Sequence, residues 1–274
     1  MSNKILEGKF YINEESLEKA MKKIIIMSPN GDKLSLHIPN GSELRNAWET
    51  ILEPYARKNA SSLEGFFQDF NNMDKVVTQY HLRKQSGYIA FTVVDKVKKP
   101  VAIANTQIIP LSDIVEINSG YWKKGMAVIY QGVHNEEVSQ GNTNFSVLTQ
   151  MYDAVSKVLQ EGSIYSSNDW LGVFTELASK GQEYDSIQKA GFEVIVPEDC
   201  YRPNLVLLAR DMPAINDSES QAIAAEAYLK SAHHGQDTEP VLKSVNDYFT
   251  EQMRLRNQSA NKISPDIMAR IPTL

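Results

Sequence analysis

Of 274 residues, one is cysteine, Cys200. A lone thiol makes no internal disulfide and no cysteine-based zinc site. The simplest inference is a reducing, cytoplasmic setting. No apolar run approaches the roughly 20 residues that span a bilayer, so no membrane segment is expected. The opening MSNKILEGKFYINEE lacks the charged-then-apolar order of a secretory leader. There is no basic excess either. The 28 Lys and Arg against 34 Asp and Glu give a formal charge of -6, which argues against a nucleic-acid binder. Internal repeats and low-complexity tracts are absent. What remains is an ordinary soluble composition, 42% hydrophobic, long enough for one large domain with appendages.

The most informative stretch runs from Met126 to Leu159. Met126–Val133 (MAVIYQGV) reads as an apolar strand and 134–144 (HNEEVSQGNTN) as a polar loop. After it Leu148, Met151, Tyr152, Val155 and Leu159 recur at helical spacing on one face. A strand, a glycine-containing loop and a helix start together form a ready anion site. The first turn of a helix has unpaired N–H groups, and the positive end of its dipole faces the loop. An ordinary α/β connection with no ligand has the same outline. Gly132, inside the strand, marks either a close approach by a ligand or simple packing.

Around this centre the chain divides into an N-terminal extension (1–32), a main domain (33–212) and a helical C-terminal appendage (213–274). Glu14–Lys23 reads as a short helix, and Asn30-Gly31 as the turn of a hairpin. A helix opens at Gly41-Ser42 and should kink or end near Pro54; a second spans Leu63 to about Leu82. Gly87–Asp95 and Val101–Pro110 read as an antiparallel pair. Beyond the long helix, Ser163–Ser166 is read as a strand, and Trp170–Lys180 and Glu183–Ala190 as helices. Phe192–Val196 and Leu205–Ala209 are read as strands. In the appendage one helix ends near His233, another runs from Glu239 to about Arg256, and a last short one starts at Ser264-Pro265. The fold class expected is mixed α/β, with an antiparallel start.

Two segments resemble the GCN5-related N-acetyltransferases (GNAT), a superfamily of acyl-CoA-dependent enzymes, over about residues 33–210. VHNEEVSQGNTNFSVLTQMY is similar to the family's cofactor motif, in which a strand-ending valine and a short acidic turn precede Arg/Gln-x-x-Gly-x-Gly/Ala at the start of a helix. YDSIQKAGFEVIV with NLVLLARDM is similar to the family's ending, a helix, Gly-Phe and two last strands. The resemblance implies a central, mostly antiparallel mixed sheet flanked by helices, splayed at the strand of Val133 to admit the cofactor's arm. It implies acetyl-CoA as co-substrate and Val133, Val138, Ser139, Gln140, Gly141, Asn142 and Thr143 as its contacts. Val138 stands where Arg or Gln is usual, and Thr143 where Gly or Ala is usual. Main-chain N–H groups do most of the holding at such a loop, so the departures are tolerated in part. Asn168 resembles a cofactor-contacting asparagine, or caps the next helix. Ile187 stands where many members carry tyrosine. Tyr184, one turn earlier on the same face, either replaces that phenol or is an ordinary surface residue.

The implied reaction is acetyl transfer to an amine, whether of a small molecule or of a protein. An alkyl amine of pKa about 10.4 is protonated at pH 7, and freeing it costs about 4.6 kcal/mol. A base must offset this. Glu116, between two predicted strands, can face the cleft; Glu136 and Glu137 lie in the loop, beside His134. The alternative is a GNAT fold without turnover, serving as an acyl-CoA-binding or interaction module. The C-terminal helices either present a partner-binding surface or fold back on the core.

Overall fold

The computed structural model describes residues 12–54, 88–111, 124–134, 145–167, 169–210, 218–232 and 237–268. Eight strands form one sheet: β1 (Ile26–Met27), β2 (Lys33–His37), β3 (Tyr88–Val94), β4 (Pro100–Pro110), β5 (Gly125–His134), β6 (Trp170–Ala178), β7 (Glu193–Val196) and β8 (Leu205–Arg210). Their order across the sheet is β1-β2-β3-β4-β5-β6-β8-β7. Every neighbouring pair is antiparallel except β5 and β6. A parallel pair needs a crossover, and the helix Phe145–Gly162 supplies it.

Local chemistry explains most of these elements. Gly31 sits at φ 82 in the β1–β2 turn, where glycine carries no Cβ penalty. The β3–β4 turn is tied by Asp95, whose carboxylate accepts the N–H groups of Val97 and Lys99. Helix α1 (Glu14–Lys23) is capped by Asn13, which accepts from Ser16 N–H. Helix α2 (Gly41–Ala47) opens on a reciprocal capping box between Asn40 and Glu43. It widens into a π turn, Trp48–Leu52, where Glu53 N–H reaches back to Trp48 O. Pro54 has no N–H to continue the ladder, so the irregularity predicted near it takes the form of a wide turn.

Helices cover both faces of the sheet. On the first lie α1, α3 (Phe145–Gly162) and α4 (Gln182–Lys189). Leu148, Met151, Tyr152, Val155 and Leu159 of α3 are all buried there with Phe91, Ile108, Ile129 and Val173, as their spacing predicts. On the second face α2 and its π turn pack on Ala90, Ile103 and Val133. Beside them α5 (Ser218–Ala232) and α6 (Glu239–Met268) bury Ala224, Tyr228, Leu229, Val245 and Phe249 against Val128, Phe174 and Leu207. Both C-terminal helices thus fold back, in part, on the sheet.

Three expectations need correction. Trp170–Lys180 is a strand through Ala178, not a helix. It lies between β5 and β8 with both faces largely buried, so its run is mostly apolar and shows no alternation. Ser163–Ser166 is not a strand; only Ser163 makes an isolated bridge, to Ile12. The two helices expected after Glu239 are one, continuous past Ser264-Pro265 to Met268. The fixed φ of proline is itself helical, so Pro265 removes a hydrogen bond without forcing a stop. The helix expected from Leu63 to Leu82 lies outside the described residues.

Candidate active site

Strands β5 and β6 are paired at Gly125↔Trp170, Ala127↔Val173 and Val128↔Phe174. Beyond these rungs both strands continue, β5 to His134 and β6 to Ala178, and no pair joins them among the described residues. Each stays tied to its outer neighbour, β5 to β4 as far as His134 and β6 to β8 as far as Ala178. The sheet therefore opens between two strands that are each held from outside.

Two local features produce the opening. Asn105 pairs with Gln131 but Thr106 with Ile129, so Tyr130 is an extra residue in β5. Such a bulge bends its strand and increases its twist. At the point of parting, Thr175 Oγ1 donates to Ile129 O over 2.9 Å, a side-chain bond in place of the next rung of the ladder. The sequence then sends α3 away from the end of β5, and α4 away from the end of β6. Two helix N-termini consequently stand at the open end. Thr149 of α3 ties them together, its Oγ1 donating to Ser186 O of α4 over 3.1 Å.

A polar cluster lies on the second face beside the opening. Glu176, in the parted half of β6, accepts a short hydrogen bond from the Tyr201 hydroxyl. Tyr130 donates to Gln107 Oε1 over 2.5 Å. Tyr228 reaches in from α5, fully buried, within electrostatic range of Glu176, Tyr130, Tyr152 and Arg202. Burial, and then neighbouring phenol and carboxylate charge, push the Tyr201 and Tyr228 hydroxyls well above the ordinary phenol range. Both are held as neutral donors at any physiological pH. The cluster thus combines one carboxylate able to accept a proton with phenols able to donate hydrogen bonds. Nearby Cys200 has its thiol pushed up by burial and by Asp199. It is a poor nucleophile, because the thiolate is the reactive form.

The residues singled out from sequence are placed as follows. Val133 lies in the parted half of β5, its side chain buried against α2 and the π turn. Tyr184 packs at the margin of the first-face core, and its hydroxyl accepts from Gln188 Nε2 over 2.9 Å. Glu116, Val138, Ser139, Gln140, Gly141, Asn142, Thr143 and Asn168 lie outside the described residues. Gly132 has the packing explanation: a Cβ there would stand 2.6 Å from the Tyr152 ring of α3. Sequence reasoning missed Tyr130, Glu176, Tyr201 and Tyr228. One signal was present. Glu176 is the sole charged residue in the apolar run WLGVFTELA, and strand periodicity puts it on the face of Phe174.

A mostly antiparallel mixed sheet that splays beside Val133, a long helix after it, then a helix, Gly191-Phe192 and two last strands are what the resemblance implied; the parallel pairing of β5 with β6 is added by the structure. The fold is GNAT-like. Among solved structures, an aminoglycoside N-acetyltransferase is similar to this chain at 13% identity and a TM-score of 0.44, over 65% of this chain and 96% of its own. A spermidine N-acetyltransferase from Vibrio cholerae, in complex with CoA and spermine, shares 14% identity at a TM-score of 0.40, over 64% and 93%. A GNAT-family acetyltransferase from Listeria monocytogenes shares 10% at 0.40, over 67% and 97%. No protein-family model matches the chain, and no curated protein matches it. Among the described residues no helix is long and apolar enough to cross a membrane, and no group of His, Cys, Asp and Glu side chains could hold a metal ion.

Proposed function

We propose that this chain transfers an acetyl group from acetyl-CoA to an amine at the opening between β5 and β6. The observation that carries the reading is the parted parallel pair. From Ile129 to His134 the main chain of β5 has no strand partner toward β6 among the described residues, so an amide-bearing arm can take the place of a strand there. The resemblance names pantetheine as that arm. Main-chain N–H groups facing the gap would also stabilise the oxyanion of an attacked thioester.

Glu176 is the base in this reading. It accepts the amine proton as nitrogen attacks the thioester carbonyl and the C–S bond breaks, leaving a thiolate that takes a proton. Tyr201 holds the Glu176 carboxylate in place through its hydroxyl. Tyr228, kept neutral by burial, is a donor on the same face. Glu176→Gln should lower kcat about 10²- to 10⁴-fold and leave acetyl-CoA binding intact. Thiol release with a panel of amines, beside thermal shift with acetyl-CoA, separates the two effects. A ligand at about 100 times its Kd raises stability by about 2.7 kcal/mol. No shift in melting temperature at millimolar acetyl-CoA would end the proposal.

A second reading keeps binding without turnover. Its support is specific: the Tyr201 hydroxyl already occupies the Glu176 carboxylate, and Val138 and Thr143 depart from the family's loop. Acetyl-CoA would then raise the melting temperature while no amine released thiol.

A further inference from the structure

We infer that Tyr152 of α3 donates a hydrogen bond to the sulfur that leaves the acetyl donor. The inference rests on the reading of the β5–β6 opening as the site of acetyl transfer, and adds to it a donor on the face opposite Glu176. Three observations place the phenol. It lies on the parted half of β5, because a Cβ at Gly132 would stand 2.6 Å from the Tyr152 Cε2 and 2.8 Å from its hydroxyl oxygen. Gly132 is past Val128, the last described partner of β6. Any side chain at that position would take the space of the hydroxyl, so a glycine there lets the polar end of the ring lie on the strand. The hydroxyl also comes within electrostatic range of Tyr228. Tyr152 belongs to the first-face core and Tyr228 to the second, so each phenol points from its own helix at the sheet, beside the opening. Finally, the ring is fixed. It is 2% exposed and stands edge-on to Phe192, with centroids 5.9 Å apart and planes at 87°.

This placement supplies what the second-face cluster does not. As the C–N bond forms and the C–S bond breaks, the electron pair of the C–S bond stays on sulfur, and Glu176 takes the amine proton. Nucleophile and leaving group occupy different corners of the tetrahedral carbon, so a base on one face and a donor on the other can each reach its own. A phenol O–H donates one hydrogen bond. Aimed where negative charge develops, and already held there, it stabilises the thiolate without reorganising. Solvent then protonates the sulfur and removes the proton from Glu176, and Tyr152 ends the cycle as it began. Its part is a hydrogen bond and not a proton transfer, since an ordinary phenol of pKa about 10 holds its proton more tightly than a thiol of about 8.5.

The test compares the full chain with Tyr152→Phe, which keeps the ring and its packing. Thiol release from acetyl-CoA should fall about 10- to 10²-fold in kcat, with KM for acetyl-CoA unchanged. A second readout needs no turnover: calorimetric titration with CoA and with desulfo-CoA at about pH 9, where an ordinary thiol is mostly ionised. The parent should bind CoA about ten-fold tighter than desulfo-CoA, and Tyr152→Phe should bind the two alike. Gly132→Ala, whose methyl pushes the ring off the strand, should narrow the same preference, and circular dichroism checks that each variant is folded. If the parent neither releases thiol nor binds CoA, the transfer reading falls and this inference with it. If the parent releases thiol and Tyr152→Phe does so equally well, this inference alone falls. It also falls if the parent does not distinguish CoA from desulfo-CoA, or if Tyr152→Phe weakens both by one factor. A loss in Tyr184→Phe with none in Tyr152→Phe would overturn it in favour of Tyr184.

Discussion

The two faces of the sheet are built from different materials. On the first, α3 carries long aliphatic and aromatic side chains onto β3 to β6, and the buried cluster there is almost wholly apolar. On the second, α5 meets the sheet mainly through alanines, Ala224, Ala225 and Ala227, with Tyr228 and Leu229 beside them. Small side chains let the helix lie close, and the phenols of Tyr201 and Tyr228 with the carboxylate of Glu176 occupy that interface. A half-buried carboxylate bonded by a phenol is a poor source of stability, since desolvation offsets much of the hydrogen bond. The first face holds the fold; the second face concentrates groups suited to moving protons.

The largest effect that tests this contrast is truncation of the core on each side. Met151→Ala on α3 and Leu229→Ala on α5, both fully buried, should each cost about 2–5 kcal/mol in denaturant unfolding. Near-neutrality at Met151 with a full loss at Leu229 would break the comparison by showing that the second face, not the first, holds the fold. A smaller effect concerns Gly132. Because a Cβ would meet the Tyr152 ring at 2.6 Å, Gly132→Ala should cost about 1–3 kcal/mol. Combined with Tyr152→Leu, the loss should fall well short of the sum of the two single variants.

The smallest effect is one of pH. Burial raises the Glu183 carboxyl above its ordinary value of 4.5, so the folded state holds this proton more tightly than the unfolded chain. The associated stability is complete below the ordinary value and is lost as pH rises through the folded one. Glu183→Gln should therefore gain in melting temperature relative to the parent between pH 4 and pH 7. A parallel pair of curves would place the Glu183 side chain in solvent.

What could be read from the sequence was local. Helix α3 announced itself because five apolar residues kept one period, and the β1–β2 hairpin because Asn30-Gly31 has few other uses. The last two strands followed from short apolar runs after Gly191. Strand β6 was misread because a central strand buried on both sides has no alternation to show. Glu176 was lost with it. The phenols of its cluster come from β5, from the segment before β8 and from α5. No spacing rule joins residues brought together only by sheet order. The loop that carried the family resemblance, 135–144, lies outside the described residues, so Gly141 and its neighbours rest on the sequence alone.

The parted strands have a mechanical consequence. Among the described residues three rungs and the Thr175–Ile129 side-chain bond join β5 to β6, while longer antiparallel ladders hold β3 to β5 on one side and β6 to β8 on the other. The sheet is two ribbons stitched along a short seam, and α3 lies against β4, β5 and β6, across that seam. Rotation of one ribbon about this stitch changes the width of the gap without disturbing either ladder. Amide exchange should accordingly be fastest, within the sheet, along the inner margins of β5 and β6 beyond Val128 and Phe174.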